Sequence, residues 1–223
     1  MINILVTGSK GQLGSEIKEL SNHYTYNFFF TDRVTLDISN KENLSTYIIA
    51  NNINAIINCA AYTAVDKAES DQTHANKVNH LAVIYLAEIA QEHNIKLIHI
   101  STDYVFDGTN YKPYLESDCT NPNSVYGQTK LDGENALIDV SPKNAIIIRT
   151  SWVYSSFGAN FVKTMLRLGE ERNELGVIFD QVGTPTYARD LAKSILDILE
   201  KISNNNVEIY HYSNEGVRII MAF

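Results

Sequence analysis

Cysteine is scarce in this chain of 223 residues, with only Cys59 and Cys119. Two thiols cannot build a disulfide framework, so stability must come from a packed core, which a chain of this length can supply. Cys59 closes an apolar run and reads as a small buried hydrophobe; Cys119 sits in a polar stretch with no partner motif beside it. Positive charge is also in deficit: 18 Lys and Arg stand against 26 Asp and Glu, a formal net charge of −8. Such a surface repels nucleic acid and anionic membranes, so neither is an expected partner, although a local site can still hold an anionic small molecule. No apolar run approaches membrane-spanning length. No basic region precedes the first apolar run at Ile2, as a secretory leader would need, and the cytoplasm is the expected compartment. Internal repeats and low-complexity tracts are missing too. The 6 histidines lie apart without metal-ligand spacing, so no metal is assigned.

What is present is an alternation of short apolar runs with helical periods. Residues 2–6, 26–30, 55–59, 96–100 and 145–149 read as strands. Between them fall helical segments at 12–20, 40–51 and 124–139, and a long amphipathic helix carrying Val78, Leu81, Ala82, Tyr85, Leu86 and Ile89. Runs without polar alternation suit strands buried on both faces, as in a parallel sheet. The expected fold class is therefore α/β, a doubly wound parallel sheet. Right-handed crossovers bring the carboxyl ends of its strands to one edge. Thr7, Asp32, Cys59 and Ser101 fall there, where ligands bind. After Arg149 the rhythm loosens into a helix at 160–172, an apolar run at 177–179, a loop through Gly183 and Pro185, a helix at 188–201 and an edge strand at 208–212. The chain thus divides into an α/β domain, 1–150, and a looser segment, 151–223, of which 188–212 packs back on the sheet; the motifs and the resemblance given below imply that the first binds a dinucleotide and the second is a small, incomplete substrate lobe.

Two motifs carry chemistry. Gly8, Gly11 and Gly14 follow the first strand and open the first helix. Gly8 permits a tight turn, Gly11 lets the backbone approach a pyrophosphate at the helix N-terminus, and Gly14 allows close helix–sheet packing. The spacing is looser than the usual dinucleotide fingerprint, and a ligand-free glycine turn is the competing reading. Asp32, at the end of the second strand, is placed to accept ribose hydroxyls. Neighbouring Arg33 favours a 2′-phosphate, so NADPH and NADH both stay open. Asp37 and Ile38 could flank the adenine, with a turn residue before a helix the equal alternative for Asp37. The second motif is Tyr126-x-x-x-Lys130. Residues four apart share a helix face, and an ammonium beside a phenol is expected to lower its pKa, so Tyr126 can pass a proton. Thr102, at the end of the fourth strand, can donate to a substrate carbonyl. Trp152, the single tryptophan, stands at the end of the fifth strand, where a substrate contact and a core position are the two readings and the strand end favours the contact. The implied chemistry is hydride transfer to or from a carbonyl.

These residues together resemble the extended short-chain dehydrogenase/reductases, and within them the dTDP-4-dehydrorhamnose reductase family. The resemblance rests on residues 8–14, 58–69, 101–108, 125–131 and 149–154, including the strings Val-Asp-Lys-Ala-Glu and Thr-Ser-Trp-Val-Tyr, and covers nearly the whole chain. It implies a Rossmann-like fold and reduction of dTDP-4-dehydro-L-rhamnose to dTDP-L-rhamnose with NADPH or NADH. It also implies that Thr102, Tyr126 and Lys130 are catalytic. Gln12, Leu13, Ala61, Tyr62 and Thr63 would join Gly8, Gly11, Gly14, Asp32, Asp37, Ile38, Tyr126 and Lys130 around the cofactor. Thr102, Asp103 and Trp152 would touch a nucleotide-sugar substrate. A homodimer is compatible with it. The resemblance stops after Gly216: residues 217–223 depart from it, so the chain is expected to be truncated at its carboxyl end, sparing cofactor binding more than turnover.

Three rivals remain. A dehydratase on the same fold would need a second carboxylate after Asp103, where Tyr104 stands. Another nucleotide-sugar reductase or epimerase would share the same motifs. A non-catalytic, NADP-binding regulatory subunit would have no need to keep Thr102, Tyr126 and Lys130 together.

Overall fold

A computed structural model describes residues 1–176, 181–216 and 218–219. In chain order the elements are β1 (Asn3–Thr7), α1 (Gln12–Leu20), β2 (Asn27–Phe30), α2 (Lys41–Ala50), β3 (Ala55–Asn58), α3 (Val65–Ala68), α4 (Gln72–Asn76), α5 (Ala82–His93), β4 (Lys96–Thr102) and α6 (Val125–Val140). There follow β5 (Ala145–Thr150), β6 (Val153–Tyr154), α7 (Phe161–Glu171), β7 (Val182–Gly183), β8 (Thr186–Tyr187), α8 (Ala188–Ile198), β9 (Glu208–Tyr212) and β10 (Arg218–Ile219).

The main sheet has 6 strands in the order β2-β1-β3-β4-β5-β9, and every pairing in it is parallel. The alternation of a strand explains why its apolar runs are unbroken. Leu5, Ile56, Leu97 and Ile147 point to one face, where they meet Leu44, Ile48, Val83, Leu86 and Leu137. Ile4, Val6, Ile57, Ile98, Ile146 and Ile148 point to the other, against Ile17, Leu191, Ile195 and Leu199. Each such side chain, fully buried, contributes roughly 1.5–3 kcal/mol of transfer free energy. The fold class is thus as expected, α/β with a doubly wound parallel sheet.

The element boundaries differ from expectation where pairing extends them. β4 and β5 run on to Thr102 and Thr150 because those two residues still pair with each other. The long amphipathic helix is broken by a π-turn at Lys77–Leu81, which turns Asn79 into the interior. β9 lies at the sheet edge beside β5, as the pattern at 208–212 suggested. α7 buries none of its residues, leaving Phe161, Val162 and Leu166 exposed. Beyond the main sheet, β6 pairs with β8 and β7 with β10. The apolar run at 177–179 lies outside the described residues, as does the departing tail save β10. Among the described residues no helix is long and apolar enough to cross a membrane.

Candidate active site

The strand order reverses between β1 and β3, which opens a crevice at their carboxyl ends. The Gly8 turn occupies it. Gly8 has φ +64°, and a Cβ there would sit 2.7 Å from the Ala60 backbone nitrogen. A Cβ on Gly14 would sit 2.5 Å from the Gly8 carbonyl oxygen, so α1 can approach the turn only with glycine there. No side chain caps the N-terminus of α1 at Gly11. Bare helix-terminal N–H groups beside close-packed glycines fit a pyrophosphate. The other expected cofactor residues surround this turn unevenly. Leu13 and Ile38 are buried in the core clusters. Gln12 is held by the loop beyond β6: its Nε2 donates to the Val153 carbonyl, 3.2 Å, and its Oε1 accepts from Asn160, 2.9 Å. Asp32 Oδ1 accepts from the Val34 and Thr35 backbone, and Oδ2 pairs with Lys10. Those contacts hold its carboxyl well below the usual range, the Lys10 contact foremost. Asp37 is likewise held low by Ser39, with Lys77 3.7 Å away. Ala61, Tyr62 and Thr63 follow β3, with the Tyr62 N–H donating to Asn79 Oδ1 at 2.8 Å.

The reacting side of the crevice lies at the end of β4. Thr102 is buried; its hydroxyl donates to Asp103 Oδ1 at 3.1 Å and accepts from the Tyr104 N–H at 3.2 Å. Burial pushes the Asp103 carboxyl up to about 6, opposed by the Thr102 hydrogen bond. Ser124 caps α6 by accepting from the Gly127 N–H at 3.0 Å, so the helix starts immediately before Tyr126. Tyr126 and Lys130 are both buried on the face toward β4, as four-residue spacing requires. Lys130 Nζ donates to the Ile100 carbonyl at 2.7 Å and lies 3.3 Å from His99 Nε2. Burial lowers its pKa to about 8, against a raising influence from Glu134.

The expected lowering of the Tyr126 phenol by Lys130 is overturned in this structure. Burial pushes the phenol up to about 12; Thr102 pulls it down and Asp103 pushes it up. The ammonium is bonded to Ile100 and His99, and burial is the largest influence on the phenol. Tyr126 is therefore a proton holder across the neutral range.

Beside these groups opens a cavity of about 700 Å³, whose walls include Asp103, Tyr104, Arg149, Trp152, Thr184 and His211. Trp152 has φ +44°, unusual for a bulky side chain, and its ring packs on Gly183, where a Cβ would sit 2.7 Å from it. The cavity wall is thus shaped jointly by the end of β5 and by β7.

Several buried polar residues escaped the sequence reading. Asn79 clasps the Tyr62 backbone from both sides and donates to Thr129 at 3.1 Å. Glu134 forms a bidentate pair with Arg149 and accepts from Ser101. Asn58 on β3 and His99 on β4 are buried side by side. Two signals were available: Glu134 follows Lys130 by one helical turn on the same face, and Arg149 ends an otherwise apolar strand. Asn79 gave none, because only the π-turn points it inward.

A parallel sheet flanked on both faces, with a glycine turn at its switch point, defines a Rossmann-like α/β nucleotide-binding protein. A family profile described as RmlD substrate binding domain matches residues 2–223. A dTDP-4-dehydrorhamnose reductase of Aggregatibacter actinomycetemcomitans is 46% identical over 219 residues, 96% of this chain and 74% of that protein. The crystal structure of a dTDP-4-dehydrorhamnose reductase from Clostridium acetobutylicum superposes with TM-score 0.91 at 41% identity, covering 97% of this chain and 75% of that one. A Bacillus anthracis dTDP-4-dehydrorhamnose reductase in complex with NADP superposes with TM-score 0.91 at 38% identity, covering 97% and 76%. The chain belongs to the dTDP-4-dehydrorhamnose reductase family.

Proposed function

We propose that this chain is an NAD(P)H-dependent oxidoreductase that reduces dTDP-4-dehydro-L-rhamnose to dTDP-L-rhamnose, in the making of that nucleotide sugar. The observation that carries this reading is the convergence of buried Thr102, Tyr126 and Lys130 at the end of β4, beside the Gly8 turn and the open cavity. A bound nicotinamide dinucleotide, NADPH or NADH, supplies the hydride. Gly8, Gly11 and Gly14 admit its pyrophosphate to the N-terminus of α1. Gln12, Leu13, Asp32, Asp37, Ile38, Ala61, Tyr62 and Thr63 line the remainder of its path. Residues 1–150 form this half, while 151–223 contribute part of the side that receives the sugar.

The proton comes from the protein. Tyr126 keeps its phenolic proton at neutral pH and gives it to the carbonyl oxygen as charge develops there. Thr102 donates a second hydrogen bond to that oxygen, which requires its hydroxyl to leave Asp103 Oδ1. Asp103 and Trp152 border the sugar. Lys130 orients the nicotinamide ribose with an N–H left over from Ile100 and His99. With two protein donors aimed at one oxygen, the site stabilises the charge that develops there more than it stabilises the ground-state ketone. The test is to follow cofactor absorbance with dTDP-4-dehydro-L-rhamnose present and absent. Substrate-dependent loss of absorbance supports the reading; binding of both ligands without consumption supports a regulatory subunit instead.

A further inference from the structure

Lys130 is fully buried, and among the described residues no carboxylate touches its ammonium. Its nearest acid, Glu134, is already committed to Arg149 and Ser101. What meets Nζ instead is a neutral ring, and that ring is the middle of a longer series. Thr7 Oγ1 lies 2.6 Å from Asn58 Oδ1, Asn58 Nδ2 lies 2.9 Å from His99 Nδ1, and His99 Nε2 lies 3.3 Å from Lys130 Nζ. The series crosses β1 and β3 at their last residues and β4 at its middle, and stops one residue before Gly8.

Hydrogen-bond logic allows it only two arrangements. The Ala60 N–H faces Asn58 Oδ1 at 3.3 Å, which favours the amide with its oxygen toward Thr7 and its nitrogen toward His99. His99 Nδ1 must then accept, so the neutral ring carries its proton on Nε2. A proton on Nε2 points at Nζ, which can accept it only as the uncharged amine. In the reverse arrangement Lys130 is an ammonium and donates to Nε2, the ring proton sits on Nδ1, and the Asn58 oxygen turns to receive it. The Asn58 amide then donates to Thr7 Oγ1, and the Ala60 N–H falls back on that hydroxyl, 3.4 Å away.

We infer that Lys130, His99, Asn58 and Thr7 form one hydrogen-bonded chain whose direction is selected by the charge on Lys130, with His99 as the positioning residue that transmits it. Passing from the charged to the uncharged arrangement, the chain loses one proton overall to bulk solvent: Nζ goes from ammonium to amine, the ring proton moves from Nδ1 to Nε2, and the Asn58 amide makes half a turn. The ring is neutral at both ends of the change. This fits its burial, which together with Lys130 holds the imidazole pKa well below its ordinary value. The charged and titratable groups around this pair are Glu134 on α6, which acts on Lys130 and is bonded to Arg149 of β5, and Tyr126 on α6, on which Asp103 beyond β4 acts; Asn58 of β3 and Thr7 of β1 are uncharged. The consequence rests on the proposed reading that Lys130 and the Gly8 turn serve one ligand. The charge of a residue at the nicotinamide end then sets the hydroxyl orientation at the pyrophosphate end.

The test is to record the imidazole nitrogens by long-range ¹H–¹⁵N NMR as pH is raised, with the His99 signal assigned by its loss in His99→Gln. The expected result is a neutral ring throughout that changes from the Nδ1–H to the Nε2–H tautomer in step with Lys130, near pH 8. Asn58→Asp replaces the amide with a group that can only accept. It should lock Nδ1–H at every pH and raise the Lys130 midpoint by about one unit or more. A single tautomer in the wild-type protein across the Lys130 titration, formation of imidazolium in that range, or an Asn58→Asp variant with both readouts unmoved overturns the inference. None of these readouts uses cofactor or substrate, so the inference can fail while the reductase reading stands, and the reverse.

Discussion

Arg149 and Glu134 form a buried ion pair: Nη2 to Oε2 is 2.7 Å, and Nε lies 3.1 Å from each carboxylate oxygen. Glu134 also accepts from Ser101, and the Arg149 guanidinium lies 5.1 Å over the Phe106 ring. The pair ties α6 to β5 directly behind Thr102. Removing one partner leaves the other charged, buried and alone. Glu134→Gln or Arg149→Met should each cost about 3–5 kcal/mol. The double variant Glu134→Gln, Arg149→Met should cost clearly less than the sum, because neither charge is stranded. Urea unfolding of the three variants measures this; strict additivity would mean the pair is not coupled.

Lys130 gives a pH dependence whose sign follows from its burial. Its folded pKa, about 8, lies below the unfolded value near 10.5. The unfolded chain therefore binds more protons between those values, and stability rises with pH across that window. Below pH 8 both states are charged and the burial penalty is complete; above 10.5 it is gone. Relative to Lys130→Met, the wild-type protein should gain about 1.4 kcal/mol per pH unit within that window. Paired unfolding curves at neutral and alkaline pH test this, because other groups cancel in the difference. A constant difference would mean that Lys130 titrates normally.

Tyr126→Phe deletes one hydroxyl and little volume. It should lower turnover by about 10²–10⁴-fold while leaving cofactor affinity nearly unchanged. Steady-state rates together with a cofactor titration separate the two effects. Near-normal turnover would place the proton donor elsewhere, with Asp103 the first candidate.

Much of this was written in the sequence. Uninterrupted apolar runs fix a two-sided parallel sheet, because each strand alternates between two buried faces, and the sheet edge then follows from crossover handedness. Gly8, Gly14, Tyr126 and Lys130 could be placed from spacing alone. What could not be read was where burial sends each polar group. Spacing puts Tyr126 and Lys130 on one face, but only coordinates show the ammonium bonded to Ile100 and His99, with the phenol raised by desolvation. Asn79 turns inward through a π-turn that the periodic pattern conceals. The Arg149–Glu134 pair joins residues from neighbouring elements that no local pattern links.

Gly14→Ala probes the cofactor end. The new Cβ would press on Gly8 and Ser9 backbone atoms, 2.5 and 2.7 Å away, which no side-chain rotation can relieve. α1 must shift away from the turn, so dinucleotide affinity should fall at least about tenfold, which corresponds to roughly 1.4 kcal/mol. Calorimetric titration with NADPH and NADH reads this directly. Unchanged affinity for both would remove the Gly8–Gly14 turn from the binding site.

The central claim is hydride delivery to the sugar carbonyl with a proton from Tyr126. It is tested most directly by incubating the protein with dTDP-4-dehydro-L-rhamnose and NADPH deuterated at nicotinamide C4, and analysing the sugar product. The account predicts dTDP-L-rhamnose carrying one deuterium at C4 of the hexose, formed by the wild-type chain and lost with Tyr126→Phe. Unreduced sugar recovered after both ligands have bound, or deuterium at any other carbon, would contradict it.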